Sequence, residues 1–333
     1  MNTQWNDKIF TVTEAGFDRL ALEIFHFQYQ NNAVYRQYVQ ALQVQPQLVK
    51  QVSQIPFLPI RFFKSHTVTN NNFVPEHIFE SSGTTGSINS KHLIKDVTVY
   101  EESFTKAFQQ FYGAINDWCI IGLLPSYLER QGSSLVYMVD SLVKNSQHPQ
   151  SGFYLYNFNT LQQVLQQLEQ QNQKVLLIGV TFALLDFAQQ NPTPLHNTII
   201  METGGMKGRR EELIRPQVHE ILQQAFGISA VHAEYGMTEL LSQAYSNGNG
   251  VFNCPSWMKI FIREEEDPLT IHSAVKAAQK PVSGAINIID LANIHSCSFI
   301  ATDDAGQLHN DGSFRVMGRL DNSDIRGCSL MVL

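Results

Sequence analysis

Apolar positions along the first forty residues fall at helical spacing: Phe17, Leu20, Ala21, Ile24 and Phe25, then Tyr35, Tyr38, Val39 and Leu42. Steps of three and four predict amphipathic helices with one buried stripe, here two of them, broken near Asn31-Asn32. Thr11-Val-Thr-Glu14 reads as the start, with Thr11 capping and Glu14 reaching back. Pro56 and Pro59 then impose an extended stretch from Ile55 to Lys64. From about residue 115 the pattern alternates. Strands are expected at 118–124, 153–156, 175–180, 198–201 and 228–232. Between them run helices at 133–143, around Leu161, Val164, Leu165 and Leu168, from 182–187, and around Ile214, Val218, Ile221 and Leu222. Short apolar strands separated by helices predict an α/β fold with a largely parallel sheet covered on both faces. Ligands of such sheets sit beyond the carboxyl ends of the strands. After residue 250 the chain turns to short strands at 257–263, 284–291, 298–302 and 313–320, a β-rich C-terminal subdomain. The chain thus reads as one domain, 1–333, in three parts: 1–115, helical with a polar loop; 116–250, α/β; and 251–333, β-rich.

Composition narrows the function. A formal charge of −7, with no Lys/Arg-rich run, argues against a nucleic-acid partner. No apolar run approaches the roughly 20 residues that a membrane helix needs. The first residues lack the basic-then-apolar order of a secretory signal. Cys119, Cys254, Cys297 and Cys328 show no close-pair spacing, which argues against zinc or thioredoxin motifs and for reduced thiols in a cytoplasm.

Candidate chemistry begins at Phe79–Lys91. There Ser81, Ser82, Gly83, Thr84, Thr85 and Gly86 follow a short apolar run. Glycines let successive backbone N–H groups form a concave nest for an anion, and the hydroxyls add donors, so the loop suits a polyphosphate. It lacks the glycine spacing and Gly-Lys-Ser/Thr ending of a P-loop. Further loops ask for a related ligand. Gly204-Gly205 lets a flat ring approach the backbone, Tyr235 can stack on a base, Thr238 can donate to a phosphate, and Glu239 can hold a hard cation. Asp304 can accept from two ribose hydroxyls, and Arg319 can neutralise a phosphate. Each also has a plainer reading: a turn, a half-buried aromatic, a helix-start acid, a capping aspartate, a surface ion pair.

The order of these segments resembles the adenylate-forming superfamily of acyl and aryl ligases. Glu80-Ser-Ser-Gly-Thr-Thr-Gly86 looks like its phosphate loop and Tyr235-Gly236-Met-Thr-Glu239 like its adenine and magnesium motif. Thr302-Asp-Asp-Ala-Gly306 and Gly318-Arg-Leu-Asp321 look like its ribose and hinge motifs. Within it, Leu124-Pro-Ser-Tyr-Leu-Glu-Arg-Gln-Gly-Ser-Ser-Leu135, Asp290-Leu-Ala-Asn293 and Ile325-Arg-Gly-Cys-Ser-Leu-Met331 are similar to segments of the LuxE-like acyl-protein synthetases. The resemblance implies the layered α/β/α large domain of adenylate-forming enzymes, with ATP and Mg²⁺ as reactants and a fatty acid activated as acyl-AMP. It also implies acyl transfer to Cys328, whose plainer reading is a small buried hydrophobe, and delivery to an acyl-CoA-reductase-like or other acyl-acceptor protein. The chain departs from the superfamily in three places. Ser87-Ile-Asn-Ser90 precedes the lysine, Lys91; Asp303 stands where glycine is usual; and the sequence stops at Leu333, where other members begin a lid domain of roughly a hundred residues. The lid's catalytic lysine is then missing, and Lys91 and Lys207 are the candidate cations. A ligase that loads CoA or a carrier protein, a non-catalytic nucleotide-binding subunit and a pure interaction protein remain as alternatives.

Overall fold

The computed structural model describes residues 3–81, 88–125, 132–155, 157–204, 213–264, 267–274 and 280–320. They divide into two compact units, neither of which is one continuous stretch. The first gathers Met1–Lys106, Met237–Gln243 and the described residues from Asn253 on; the second holds Ala107–Gly236 and Ala244–Phe252. The helical N-terminal part and the β-rich C-terminal part, separate in the three-part sequence division, therefore share one unit.

In the first unit, helices α1 (Thr3–Phe10), α2 (Glu14–Asn31) and α3 (Ala33–Ala41) open the chain. The break falls at Asn32, whose side chain accepts from Tyr35 N and caps α3. The expected Thr11 cap is not formed. Thr11 Oγ1 donates back to Asp7 O at the end of α1, and Thr13, with no side-chain cap bond, begins α2. In the stretch 55–64, Ile55 has extended backbone and Leu58–Pro59 forms β1, before the short helix α4 (Phe62–Ser65). Strands β2 (His77–Glu80) and β3 (Lys91–Ile94) pair antiparallel around the serine-rich loop. Helix α5 (Val97–Tyr112) follows, beginning in the first unit and ending in the second. Val99, Tyr100, Phe104, Ala107 and Phe108 give it a buried stripe at helical spacing.

The large sheet of this unit contains β1, β10 (Met258–Arg263), β11 (Ile271–His272), β12 (Val282–Asp290), β13 (Phe299–Leu308) and β14 (Phe314–Arg319). Its order is β1-β13-β12-β10-β11, with β14 against β13. The strand expected at 298–302 runs on as β13 to Leu308, because Asp304, Ala305 and Gly306 pair with β14. Phe299 anchors the core: its ring stacks on Tyr35 at 5.9 Å and meets Phe25 and Phe57 edge-on.

The second unit is built on β4 (Trp118–Leu123), β5 (Gly152–Phe153), β6 (Lys174–Gly179), β7 (Thr198–Glu202), β8 (His232–Tyr235) and β9 (Ala244–Ser246). They are ordered β5-β4-β6-β7-β8-β9, parallel except for β9. Every residue of β4 is buried, and so are five of the six in β6, as expected of strands covered on both faces. Helices α6 (Ser134–Ser146), α7 (Phe158–Gln170), α8 (Thr181–Gln190) and α9 (Arg215–Phe226) alternate with the strands. The α/β expectation holds. The strand placed at 228–232 begins later, at His232, where the ends of β7 and β9 offer partners. The strand at 153–156 is reduced to Gly152–Phe153, and Tyr156 lies outside the described residues. Among the described residues no helix is long and apolar enough to cross a membrane.

Phe299→Ala should lower unfolding free energy by about 3–5 kcal/mol, the usual cost of emptying a packed aromatic site. Equilibrium urea unfolding checks this; a loss under about 1 kcal/mol would show that the ring cluster does not anchor the sheet.

Candidate functional site

Within the first unit, two expected site residues, Ser81 and Glu239, come together through Ser90 at the base of the serine-rich loop. Ser81 and Ser90 tie the two ends of the loop: Ser81 N donates to Ser90 O at 3.0 Å, and Ser90 N donates to Ser81 Oγ at 2.9 Å. The loop residues Ser82, Gly83, Thr84, Thr85 and Gly86 lie outside the described residues. Ser90 Oγ donates to Glu239 Oε1. Glu239 is 1% exposed, and its second oxygen, Oε2, is buried with no hydrogen-bond partner among the described residues.

Buried anchors fix the segment that carries Glu239. His92 Nδ1 lies 2.9 Å from Thr238 O, and Asn293 Nδ2 donates to Glu239 O at 2.8 Å. Asp290 accepts from Leu241 N at 2.9 Å and from Ser242 Oγ at 2.6 Å. A carbonyl only accepts, so His92 carries its proton on Nδ1 and its Nε2 accepts from Ser296 Oγ at 2.8 Å. Burial pushes the His92 ring down to about 4. Burial raises Asp290 to about 6, against the pull of its donors Ser242 and Leu241.

The turn that supplies Asp290, Asn293 and Ser296 is itself pinned. Gln28 Nε2 donates to Asn293 O at 2.9 Å, Ser298 N donates to Gln28 Oε1 at 2.9 Å, and Asn32 Nδ2 donates to Ser296 O at 3.0 Å.

Elsewhere in this unit Asp304 and Arg319 face each other across β13 and β14. Arg319 Nε is 3.9 Å from Asp304 Oδ1, and Arg319 Nη2 is 3.7 Å from Asp303 Oδ2, which Arg61 Nε also meets at 3.0 Å. Asp304 is thus a strand residue beside a guanidinium, not a loop acid. Lys91 is exposed, with Nζ 3.2 Å from Glu80 Oε1 across β2 and β3.

In the second unit the C-terminal ends of β7 and β8 hold a polar cluster. Glu202 is 2% exposed and accepts from Arg215 Nε at 2.9 Å, Gly204 N at 2.8 Å and Thr181 Oγ1 at 3.3 Å. His219 Nε2 stands 3.7 Å away, too far for a hydrogen bond. Burial alone pushes the Glu202 carboxyl up, but Arg215, His219 and Gly204 N–H together pull it down to about 2. Glu234, on β8, is pushed up to about 8 by burial and by the Glu202 charge. The Arg215 guanidinium lies 5.2 Å over the Phe252 ring, and Tyr235 packs on Phe252 at 5.9 Å. Expected residues Gly204 and Tyr235 therefore meet one cluster through Glu202, Arg215 and Phe252. Gly236, next to Tyr235, is half-buried. Gly205, Lys207 and Cys328 lie outside the described residues.

Sequence reasoning missed Ser90, His92, Glu202 and Arg215 as site residues and took Asp290 and Asn293 only as family likeness. Each acts by filling a buried partner's hydrogen-bonding need, and such a need leaves no local motif. Among the described residues no three His, Cys, Asp or Glu side chains form a metal cluster. A lone carboxylate with an unpartnered buried oxygen fits Mg²⁺, which keeps several waters and leans on one or two carboxylates plus substrate phosphates.

The sequence signature of the acyl-protein synthetases, LuxE, matches residues 13–333. The chain belongs to that family. A curated relative, the long-chain-fatty-acid–luciferin-component ligase of Vibrio harveyi, is 22% identical over 345 residues, covering 94% of this chain and 86% of its own length. Among solved structures, ATP-bound MatB from Rhodopseudomonas palustris matches with a TM-score of 0.53 at 14% identity, over 75% of this chain. The ATP-bound RpMatB-BxBclM chimera B3 matches with a TM-score of 0.53 at 15% identity. The likeness supports the fold of adenylate-forming enzymes, and the chain spans only 49% of the length of either structure.

The Glu202–Arg215 pair has a pH signature. A depressed folded-state pKa contributes stability that is present above about 4.5, the ordinary value, and is lost as pH falls toward about 2. Arg215→Met should cost about 3 kcal/mol at neutral pH by leaving a buried charge unpaired, and should flatten that acid slope. Urea unfolding between pH 2 and 7 checks both; an unchanged slope would remove the pair as its source.

Proposed function

We propose that this chain activates a fatty acid with ATP as acyl-AMP and passes the acyl group to a thiol, its own Cys328 or one on a partner protein. The observation that carries the reading is Glu239: buried, oriented by Ser90 at the base of the loop, with one carboxylate oxygen that has no hydrogen-bond partner among the described residues. Membership of the acyl-protein synthetase family and the ligase activity named for the Vibrio harveyi relative support the same conclusion.

A carboxylate is a poor electrophile at neutral pH. Attack of its oxygen on the α-phosphorus of ATP makes a mixed anhydride and expels pyrophosphate. The protein's part is to hold two anions together and to stabilise the charge that develops. In our reading the loop residues Ser81–Gly86 and the Thr238 hydroxyl hold phosphate oxygens, and Glu239 holds Mg²⁺. The metal, when bound, supplies charge neutralisation on the phosphates. Asp304 accepts from the ribose hydroxyls with Arg319 beside it. Gly204, Gly205, Tyr235 and Gly236 are the candidates for the nucleobase, and Lys207 and Lys91 for the assisting cation. Thiolate attack on the acyl-AMP carbonyl then forms a thioester and releases AMP. Burial favours the protonated thiols of Cys119 and Cys297, raised to about 11 and about 12, which disfavours them as nucleophiles and supports Cys328 as acceptor. The acyl group leaves on an acyl-CoA-reductase-like or other acceptor protein, and we place the reaction in the cytoplasm.

The test is acid-dependent ATP–pyrophosphate exchange over a panel from acetate to long-chain and aryl acids. Long chains should support it, Glu239→Ala should lower it by about 100-fold or more, and Cys328→Ser should spare exchange while ending hydroxylamine-labile acyl labelling. Exchange with no acid at all would remove the activity; full exchange in the Glu239 variant would remove the metal role; release of the acyl group by CoA alone would move the enzyme to the CoA-loading class.

A further inference from the structure

Two consecutive peptide carbonyls, those of Thr238 and Glu239, are each held by a buried side-chain donor from another part of the first unit. His92 Nδ1–H donates to the first and Asn293 Nδ2–H to the second, at 2.9 and 2.8 Å. Both donors are fully buried, and both are held in turn: His92 by Ser296, and the Asn293 backbone by Gln28. Two residues further along, Asp290 takes Leu241 N–H, and it also takes Ser242 O–H. Bonds to backbone groups two peptides in a row fix the plane of each peptide and hence the direction in which the Glu239 side chain leaves the chain. That side chain sends one oxygen to Ser90 and leaves the other buried without a partner among the described residues.

We propose that His92 and Asn293 are positioning residues that aim the free Glu239 oxygen at a divalent cation. The inference rests on the metal role assigned to Glu239 under the proposed function. An alternative, that the two donors merely fill buried hydrogen-bonding needs, predicts lost stability but no change in cation affinity. Neither residue touches the cation; each acts through the Glu239 backbone. Removing a group that orients a metal ligand commonly weakens affinity by about 10–100-fold.

The experiment measures Mn²⁺ affinity by water-proton relaxation on the full chain saturated with α,β-methylene-ATP. The variants are Asn293→Leu, of similar volume without the donor, His92→Leu, and His92→Asn, whose amide nitrogen can replace Nδ1. The expected result is a loss of about 10-fold or more in both leucine variants and near-normal affinity in His92→Asn. In addition, Glu239→Ala/Asn293→Leu should bind no more weakly than Glu239→Ala alone, because the donor acts only through that carboxylate. Wild-type Mn²⁺ affinity in both leucine variants, with affinity lost in Glu239→Ala, would overturn the positioning role and leave the metal role standing. Wild-type affinity in Glu239→Ala would overturn both. A chain that binds Mn²⁺ in the expected pattern but gives no pyrophosphate exchange upholds the positioning role and defeats only the activity.

Discussion

A buried turn has to find partners for peptide groups that water cannot reach, and the connection from Asp290 to Ser298 sets the terms for its whole unit. It joins β12 to β13 in the interior, where Asp290, Asn293, Ser296 and Ser298 are each 1% exposed or less. Helix α2 answers with Gln28, the start of α3 with Asn32, and the stretch after α4 with Asn70, whose backbone N–H donates to His295 O. In exchange the turn offers side chains of its own to Glu239, Leu241, Ser242 and His92. A network of this kind is favourable only when it is complete, since a half-satisfied member carries the full desolvation penalty. Most of its members are paired; the exceptions include Asn293 Oδ1, Asn70 Oδ1 and His295 Nε2, which are buried with no hydrogen-bond partner among the described residues.

The same logic recurs in the second unit with a charge at its centre. Glu202 ends β7 deep in the protein and would be strongly disfavoured there alone. Arg215, from the first turn of α9, supplies the opposite charge, and Gly204 N–H and Thr181 Oγ add hydrogen bonds. The carboxylate thereby ties the turn after β7 to the beginnings of α8 and α9. Burial, with the Glu202 charge added to it, pushes the neighbouring Glu234 up to about 8, so burial and charge drive two acids on adjacent strands in opposite directions.

Much of this architecture was legible in the sequence, and the failures have physical causes. Periodicity located β4, β6, β7, α2 and α3 because burial on one or both faces writes a repeating apolar pattern. It failed at Thr11, where the hydroxyl found a carbonyl behind it before it found an N–H ahead. It failed at Asp304, which lies in a strand because β14 pairs with Asp304, Ala305 and Gly306 across a register shift. Helix α5 shows the opposite lapse: its apolar stripe was present in the letters and was overlooked. At the site, Thr238 and Glu239 were visible through their motif. His92 and Ser90 were not, since they matter only through atoms distant in sequence. Asp290 and Asn293 stood out as a family segment, and the structure supplies the reason for their residue types: an acceptor for two donors and a donor for a carbonyl.

The tautomer of His92 carries a further implication. With its proton committed to a carbonyl and its other nitrogen accepting from a hydroxyl, the ring has nothing to gain from a second proton until the medium is far more acid than a cell. An imidazole beside a candidate site is ordinarily the first suspect for a rate that changes around neutrality. Here burial holds the ring's titration well below that range.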